Sequence, residues 1–127
     1  MSGESTRAAL VRTAADLMAA RGIDGPSLRE IARVAGARNT AALQYHFGDR
    51  EALLAAVLAG PGATVAEHRD RLLREGDGSL RSFARALVWP YVDVLATDGG
   101  RAYVQVLHEV WSQPRRAADL VRPDPSM

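Results

Sequence analysis

Gly36-Ala37-Arg38-Asn39-Thr40-Ala41-Ala42-Leu43-Gln44-Tyr45-His46-Phe47-Gly48 places a short turn and a helix of little more than one turn directly behind another helix. The stretch is dense in groups that seek bases and phosphates. Arg38, Asn39, Thr40 and Gln44 carry donors and acceptors for base edges or phosphates, and Tyr45 and His46 offer an O–H and ring N–H groups to a sugar-phosphate backbone. Ala41, Leu43 and Phe47 can turn toward a core. This is the layout of a helix-turn-helix DNA reader. The plainer alternative is an amphipathic surface helix, and the flanking residues separate the two.

Ser27-Leu28-Arg29-Glu30 has the pattern of a capping box. The Ser27 hydroxyl can accept the Glu30 N–H and the Glu30 carboxylate can reach back to the Ser27 N–H. Leu28, Ile31, Ala32 and Ala35 recur at helical spacing and make a narrow, small-residue face suited to a close crossing. Gly36 is then the left-handed residue that ends this helix, and Asn39 is the expected N-cap of the next. Upstream, Leu10, Ala14, Leu17, Met18 and Arg21 keep the helical period from about Thr6, closed by Gly22. Downstream, Gly48 stops the reader helix and Asp49 caps a fourth helix through Leu58. Leu10, Leu17, Ile31, Leu43, Phe47 and Leu53 are expected to share one small core.

The run Gly-Ile-Asp-Gly-Pro-Ser-Leu-Arg-Glu-Ile-Ala from Gly22, the glycine turn, and Leu43-Gln44-Tyr45-His46-Phe47-Gly48-Asp49-Arg50-Glu51-Ala52-Leu53-Leu54 together resemble the tetracycline-repressor (TetR) family of bacterial transcriptional regulators. The resemblance covers Thr6 to about Leu58. It implies base contacts from Asn39, Thr40, Ala41 and Gln44, with Arg38 a further candidate, and phosphate contacts from Ser27, Tyr45, His46 and Arg50. Two features depart from the common pattern. Gly36 to Leu43 is one residue longer, with Ala37-Arg38-Asn39 where Val-Ser is usual. Gly60-Pro61-Gly62 interrupts the fourth helix, where Pro61 is expected to impose a kink or break.

The chain has 127 residues, 47% hydrophobic and 24% charged, so it can bury an ordinary core. With 6% aromatic residues and no alternating β-branched runs, helix is expected almost throughout: an all-α chain. It has no cysteine, which excludes disulfides, thiolate metal sites and cysteine nucleophiles. No apolar run approaches a membrane span, and Met1 to Ser5 has no signal-peptide pattern. A cytoplasmic location is the corresponding expectation. The net charge is only +1, but residues 1–50 hold seven Arg against five acids and residues 51–127 nine Arg against ten. The excess is therefore on the reader side, and Arg7, Arg12, Arg29, Arg38 and Arg50 are candidates to share a face.

Beyond Leu58, Ala63 to Glu75 reads as a charged helix. Gly76-Asp77-Gly78 is a turn, and Ser79 caps a helix with Leu80, Phe83, Leu87, Tyr91, Val94 and Leu95 on one stripe, bent at Pro90. Asp98-Gly99-Gly100 precedes a helix from Arg101 to Gln113, with Val104, Leu107, Val110 and Trp111 at helical spacing, and Pro114 is expected to end it. In the TetR-like reading these helices begin a ligand-binding and dimerisation domain. Trp89, Tyr91, Tyr103, Gln105, His108 and Trp111 are then candidate pocket residues, against the alternative of ordinary core packing. His46, His68 and His108 have no metal-ligand spacing, so neither a metal nor another cofactor is expected, although a small-molecule effector fits the resemblance.

Two domains are thus expected: a helix-turn-helix domain over residues 1–50 and an incomplete helical regulatory domain over residues 51–127. The tail from Arg115 to Met127 reads as the end of ordered structure. Family members are usually longer and dimerise through two C-terminal helices, so either a fragment or a short member is expected. The expected function is that of a sequence-specific regulator, a ligand-responsive repressor in most such proteins, that binds a palindromic operator in double-stranded DNA as a homodimer. Neither a membrane nor a catalytic role is expected. The alternative is a helical protein-interaction or adaptor module that does not bind DNA, distinguished by the absence of salt-dependent duplex binding.

Overall fold

The computed structural model describes residues 3–37 and 39–122, with side chains from residue 6 onward. These residues form seven helices and no strand: α1 (Gly3–Arg21), α2 (Leu28–Val34), α3 (Ala41–His46), α4 (Arg50–Glu75), α5 (Leu80–Leu95), α6 (Gly100–Trp111) and α7 (Pro114–Val121). Arg38 and residues 123–127 lie outside the described residues.

The helix ends follow local chemistry. The Ser27 hydroxyl accepts the Glu30 N–H at 3.0 Å, the Asp49 carboxylate the Ala52 N–H at 2.8 Å, and the Ser79 hydroxyl the Ser82 N–H at 3.1 Å. Only half of the expected capping box forms. The Glu30 carboxylate turns away from Ser27 and pairs with Arg21 at 2.7 Å, where a full charge offers more than one backbone amide. After α2, the Ala37 N–H donates to the Ala32 carbonyl and the Gly36 N–H to the Arg33 carbonyl, with Gly36 at φ +90°. This pair of bonds is a Schellman motif. The expected N-cap moves by one residue. Thr40 stands at that position without a side-chain bond, while the Asn39 carboxamide accepts the Ala41 N–H at 2.8 Å and so closes the turn from outside the helix.

One core runs through the first four helices and on into α6 and α7. Leu10, Ala14 and Met18 of α1, Ile23, Ile31 and Ala32, Leu43 of α3, Leu53, Leu54 and Val57 of α4, Val106 and Val110 of α6, and Ala117 of α7 are all buried in it. Leu17 and Phe47, expected inside, pack against its edge. A smaller cluster of Val65, Val94 and Tyr103 joins α4, α5 and α6.

Four expectations are corrected. Of the kink or break expected at Pro61, the break does not occur: α4 runs for 26 residues with Pro61 inside it. Pro61 removes one backbone bond, but burial of Leu53, Leu54 and Val57 before it and Val65 after it anchors both halves. The buried side of α5 is Ala86, Pro90 and Val94, and Leu80, Phe83, Leu87 and Leu95 of the expected stripe are exposed. In α6 the buried side is Gly100, Tyr103, Val106 and Val110, with Trp111 left 65% exposed. The stretch from Arg115 does not end ordered structure: α6 stops at Trp111 ahead of Pro114, and Pro114 then occupies the first position of α7, where a missing N–H costs nothing.

Leu43 is fully buried and is the one buried residue of α3. Leu43→Ala should lower the unfolding free energy by about 2 to 5 kcal/mol in urea titration. An unchanged midpoint would contradict this packing.

Candidate nucleic-acid interface

α3 has only six residues, so its orientation comes from its surroundings. Leu43 plugs it into the core beneath α1 and α2, and the helix phase then turns Ala41, Gln44 and Tyr45 to solvent. Tyr45 is 86% exposed. Its ring meets His46 edge-on at 5.1 Å between centroids, and His46 in turn lies 6.0 Å from Phe47. The Arg7 guanidinium sits 5.0 Å above the Phe47 ring, which brings a cation from α1 to the C-terminal end of α3.

At the other end of α3, Asn39 and Thr40 share a hollow of about 380 Å³ with Arg29, Ala32, Arg33 and Ala37. Arg29 and Arg33 stand one helical turn apart on the exposed side of α2, and neither forms a salt bridge among the described residues. Arg33 was not singled out from the sequence; its i, i+4 spacing with Arg29 was the available signal. Ser27 is exposed beside them at the start of α2. The surface therefore combines donors and acceptors on α3 with cations on α2 and α1.

Arg50 is differently engaged. One guanidinium nitrogen donates to the Ile23 carbonyl at 3.1 Å and the Pro26 carbonyl at 2.7 Å, and Nε lies 3.9 Å from Asp24. The side chain ties the α1–α2 loop to the start of α4. Arg12, like Arg7, lines a groove of about 380 Å³ between α1 and α4.

The six residues expected around a ligand do not converge. Tyr103 is buried and reaches the floor of the α1–α4 groove, Gln105 lines a separate depression beside Asp98, and Trp89, His108 and Trp111 are exposed. Tyr91 accepts a hydrogen bond from Arg69 at 3.2 Å. Burial pushes the Tyr103 hydroxyl above its ordinary range, with a smaller push from Tyr91 and an opposing pull from Arg69. Among the described residues no three His, Asp or Glu side chains come together as a metal site, and no helix is long and apolar enough to cross a membrane.

Three crossed helices, a glycine turn with left-handed backbone and a short exposed helix rich in side-chain amide and hydroxyl groups define a helix-turn-helix DNA-binding domain. Residues 10–57 match the family model described as bacterial regulatory proteins, tetR family. This segment is therefore similar to the DNA-binding domain of that family of transcription regulators. No curated protein matches the chain.

Replacing Arg50 by Ala removes the donor for two loop carbonyls. The variant should unfold at lower urea, by about 1 to 3 kcal/mol, and a stability equal to that of wild type would show that the loop does not depend on this grip.

Proposed function

We propose that the chain is a sequence-specific, ligand-responsive repressor that acts as a homodimer on a palindromic operator in the bacterial cytoplasm. The observation that carries the DNA reading is the division of α3 into one buried residue, Leu43, and the exposed Gln44 and Tyr45, with Asn39, Thr40 and Ala41 leading into it. In this reading Asn39, Thr40, Ala41 and Gln44 face base edges, with Arg38 a further candidate from the sequence. Ser27, Tyr45 and His46 hold phosphates, helped by Arg7, Arg29 and Arg33. Arg50 contributes by bracing the loop behind Ser27 and presents only the rest of its guanidinium to a phosphate.

The effector reading is supported by the groove between α1 and α4, lined by Val11, Ala15, Val57, Pro61 and Tyr103. It adjoins the helix whose Arg7 touches Phe47. Of the sequence-derived pocket residues, Tyr103 alone lines that groove. Dimerisation is supported by the exposed side of α5, where Leu80, Leu87, Val88, Val92 and Leu95 repeat at helical spacing and remain 43% to 82% exposed. Monomers rarely leave so contiguous an apolar side in water. Two-fold pairing would set two reader helices about 34 to 36 Å apart, one turn of the duplex. The chemistry is binding, with no catalytic step.

Affinity for a duplex should fall steeply as salt rises, because released counterions drive phosphate contacts. Tyr45→Phe should weaken binding by a similar factor on every sequence. Gln44→Ala should instead erase about 1 to 3 kcal/mol of discrimination at one base pair. Anisotropy titrations on a base-substitution series read both effects, and Gln44→Ala retaining the wild-type preference would refute the base-reading role. In sedimentation velocity, Leu87→Asp should shift a wild-type dimer to monomer; a wild-type monomer at high concentration would overturn the α5 assignment.

A further inference from the structure

Two C-terminal side chains reach across the molecule to the loop that launches α2. The Glu109 carboxylate of α6 accepts the Ile23 N–H on both oxygens, at 3.1 and 3.0 Å, and its Oε1 also accepts Gln113 Nε2 at 3.3 Å. The fit is close. Gly22, at φ +89°, lies so near that a Cβ there would stand 3.4 Å from Glu109 Oε1. One residue further on, Arg116 of α7 forms a two-pronged pair with Asp24, at 3.0 and 2.8 Å. The same guanidinium reaches Glu51 of α4 at 2.9 Å and the Gln113 side-chain Oε1 at 2.6 Å. Arg116 is only 15% exposed, and its hydrogen bonds hold Asp24 below the usual carboxylate range.

Ile23 and Asp24 precede Ser27, the cap of α2, by four and three residues. Their carbonyl side is already gripped by Arg50 through Ile23 and Pro26. The loop is thus fixed from three helices at once: α4 through its carbonyls, α6 through the Ile23 amide, and α7 through Asp24. Neither Glu109 nor Arg116 lies among the residues that form the exposed reader surface. We propose that Glu109 and Arg116 are positioning residues for DNA recognition, which set the angle at which the α2–α3 pair is presented by holding the Ile23-Asp24 segment against α6 and α7. This rests on the DNA-reading function proposed above. Planar bidentate pairing explains why an arginine stands at 116, since an ammonium on a flexible stem cannot bridge Asp24 and Glu51 in one fixed geometry.

The test compares Glu109→Ala, Glu109→Gln, Arg116→Ala and Arg116→Lys with wild type in two measurements. In hydrogen exchange, Glu109→Ala should speed exchange of the Ile23 amide at least tenfold while the Phe47 amide, which donates to the Leu43 carbonyl, keeps its wild-type rate, and Glu109→Gln, which keeps one acceptor, should fall between. On a duplex carrying the motif that wild type selects from a random pool, both Ala variants should bind at least tenfold more weakly. On random-sequence duplex they should bind within twofold of wild type with the same salt slope, because no phosphate contact is removed. Arg116→Lys should lie between wild type and Arg116→Ala. Should an Ala variant lose its helical signal, the Gln and Lys variants carry the comparison. Unchanged Ile23 exchange, or wild-type affinity for the selected duplex, overturns the proposal. If wild type selects no motif, the DNA reading fails, while the exchange rates still decide whether the clamp exists.

Discussion

A helix of six residues cannot hold itself together in water, because nucleation fixes several backbone dihedrals for each early hydrogen bond. The reader helix α3 therefore exists only as long as Leu43 stays in the core beneath α1 and α2. Everything that makes the surface useful follows from that one buried side chain. With Leu43 inward, the 100° step of the helix turns Gln44 and Tyr45 outward. The preceding turn is constrained from the other side by Gly36, whose left-handed backbone lets the Ala37 and Gly36 amides close the end of α2. Buried plug and glycine turn together fix both the direction and the phase of α3.

The head is not a separable ornament on the rest of the chain. Val106, Val110 and Ala117 share the core of the N-terminal helices, and the loop before α2 is held by polar contacts from α4, α6 and α7. Surface ion pairs of this kind contribute little to global stability. Their consequence is geometric, since each fixes the position of a segment that has few contacts of its own. The apolar side chains of α5 show the opposite condition: they have ample apolar area that the described residues leave exposed.

Much of this was legible in the sequence where the cause is local. Ser27, Asp49 and Ser79 cap helices through bonds to amides three residues away, and Gly22, Gly36, Gly48 and Gly99 adopt the positive φ that ends or starts a segment. Such interactions are written in neighbouring letters. The buried sides of α5 and α6 were not legible, because apolar residues occupy a wide arc of α5 and periodicity alone does not say which part of that arc meets α4. Packing selects the small residues Ala86 and Pro90, which allow close approach, and leaves Leu80 and Leu87 outside. The continuity of α4 through Pro61 likewise depends on partners distant in the chain, among them Val94 and Tyr103. At the site, Leu43 and the exposure of Gln44 and Tyr45 followed from spacing. The engagement of Arg50 with loop carbonyls did not, because it depends on a loop fold that no local pattern specifies, and the six dispersed pocket candidates show how little aromatic spacing says about convergence.

With a net charge of only +1, general electrostatic attraction is weak, and the proposed recognition of DNA rests on the local arrangement of Arg7, Arg29 and Arg33 around α3 and on its side-chain amides and hydroxyls. The most direct measurement is selection by the purified chain from a pool of random duplex DNA, sequenced before and after binding. Wild type should enrich an inverted repeat of a short half-site, and the enrichment should disappear when Asn39 and Gln44 are both replaced by Ala. A wild-type pool indistinguishable from the input, or an identical motif from the double variant, would contradict the assignment of α3 as the reader of DNA sequence.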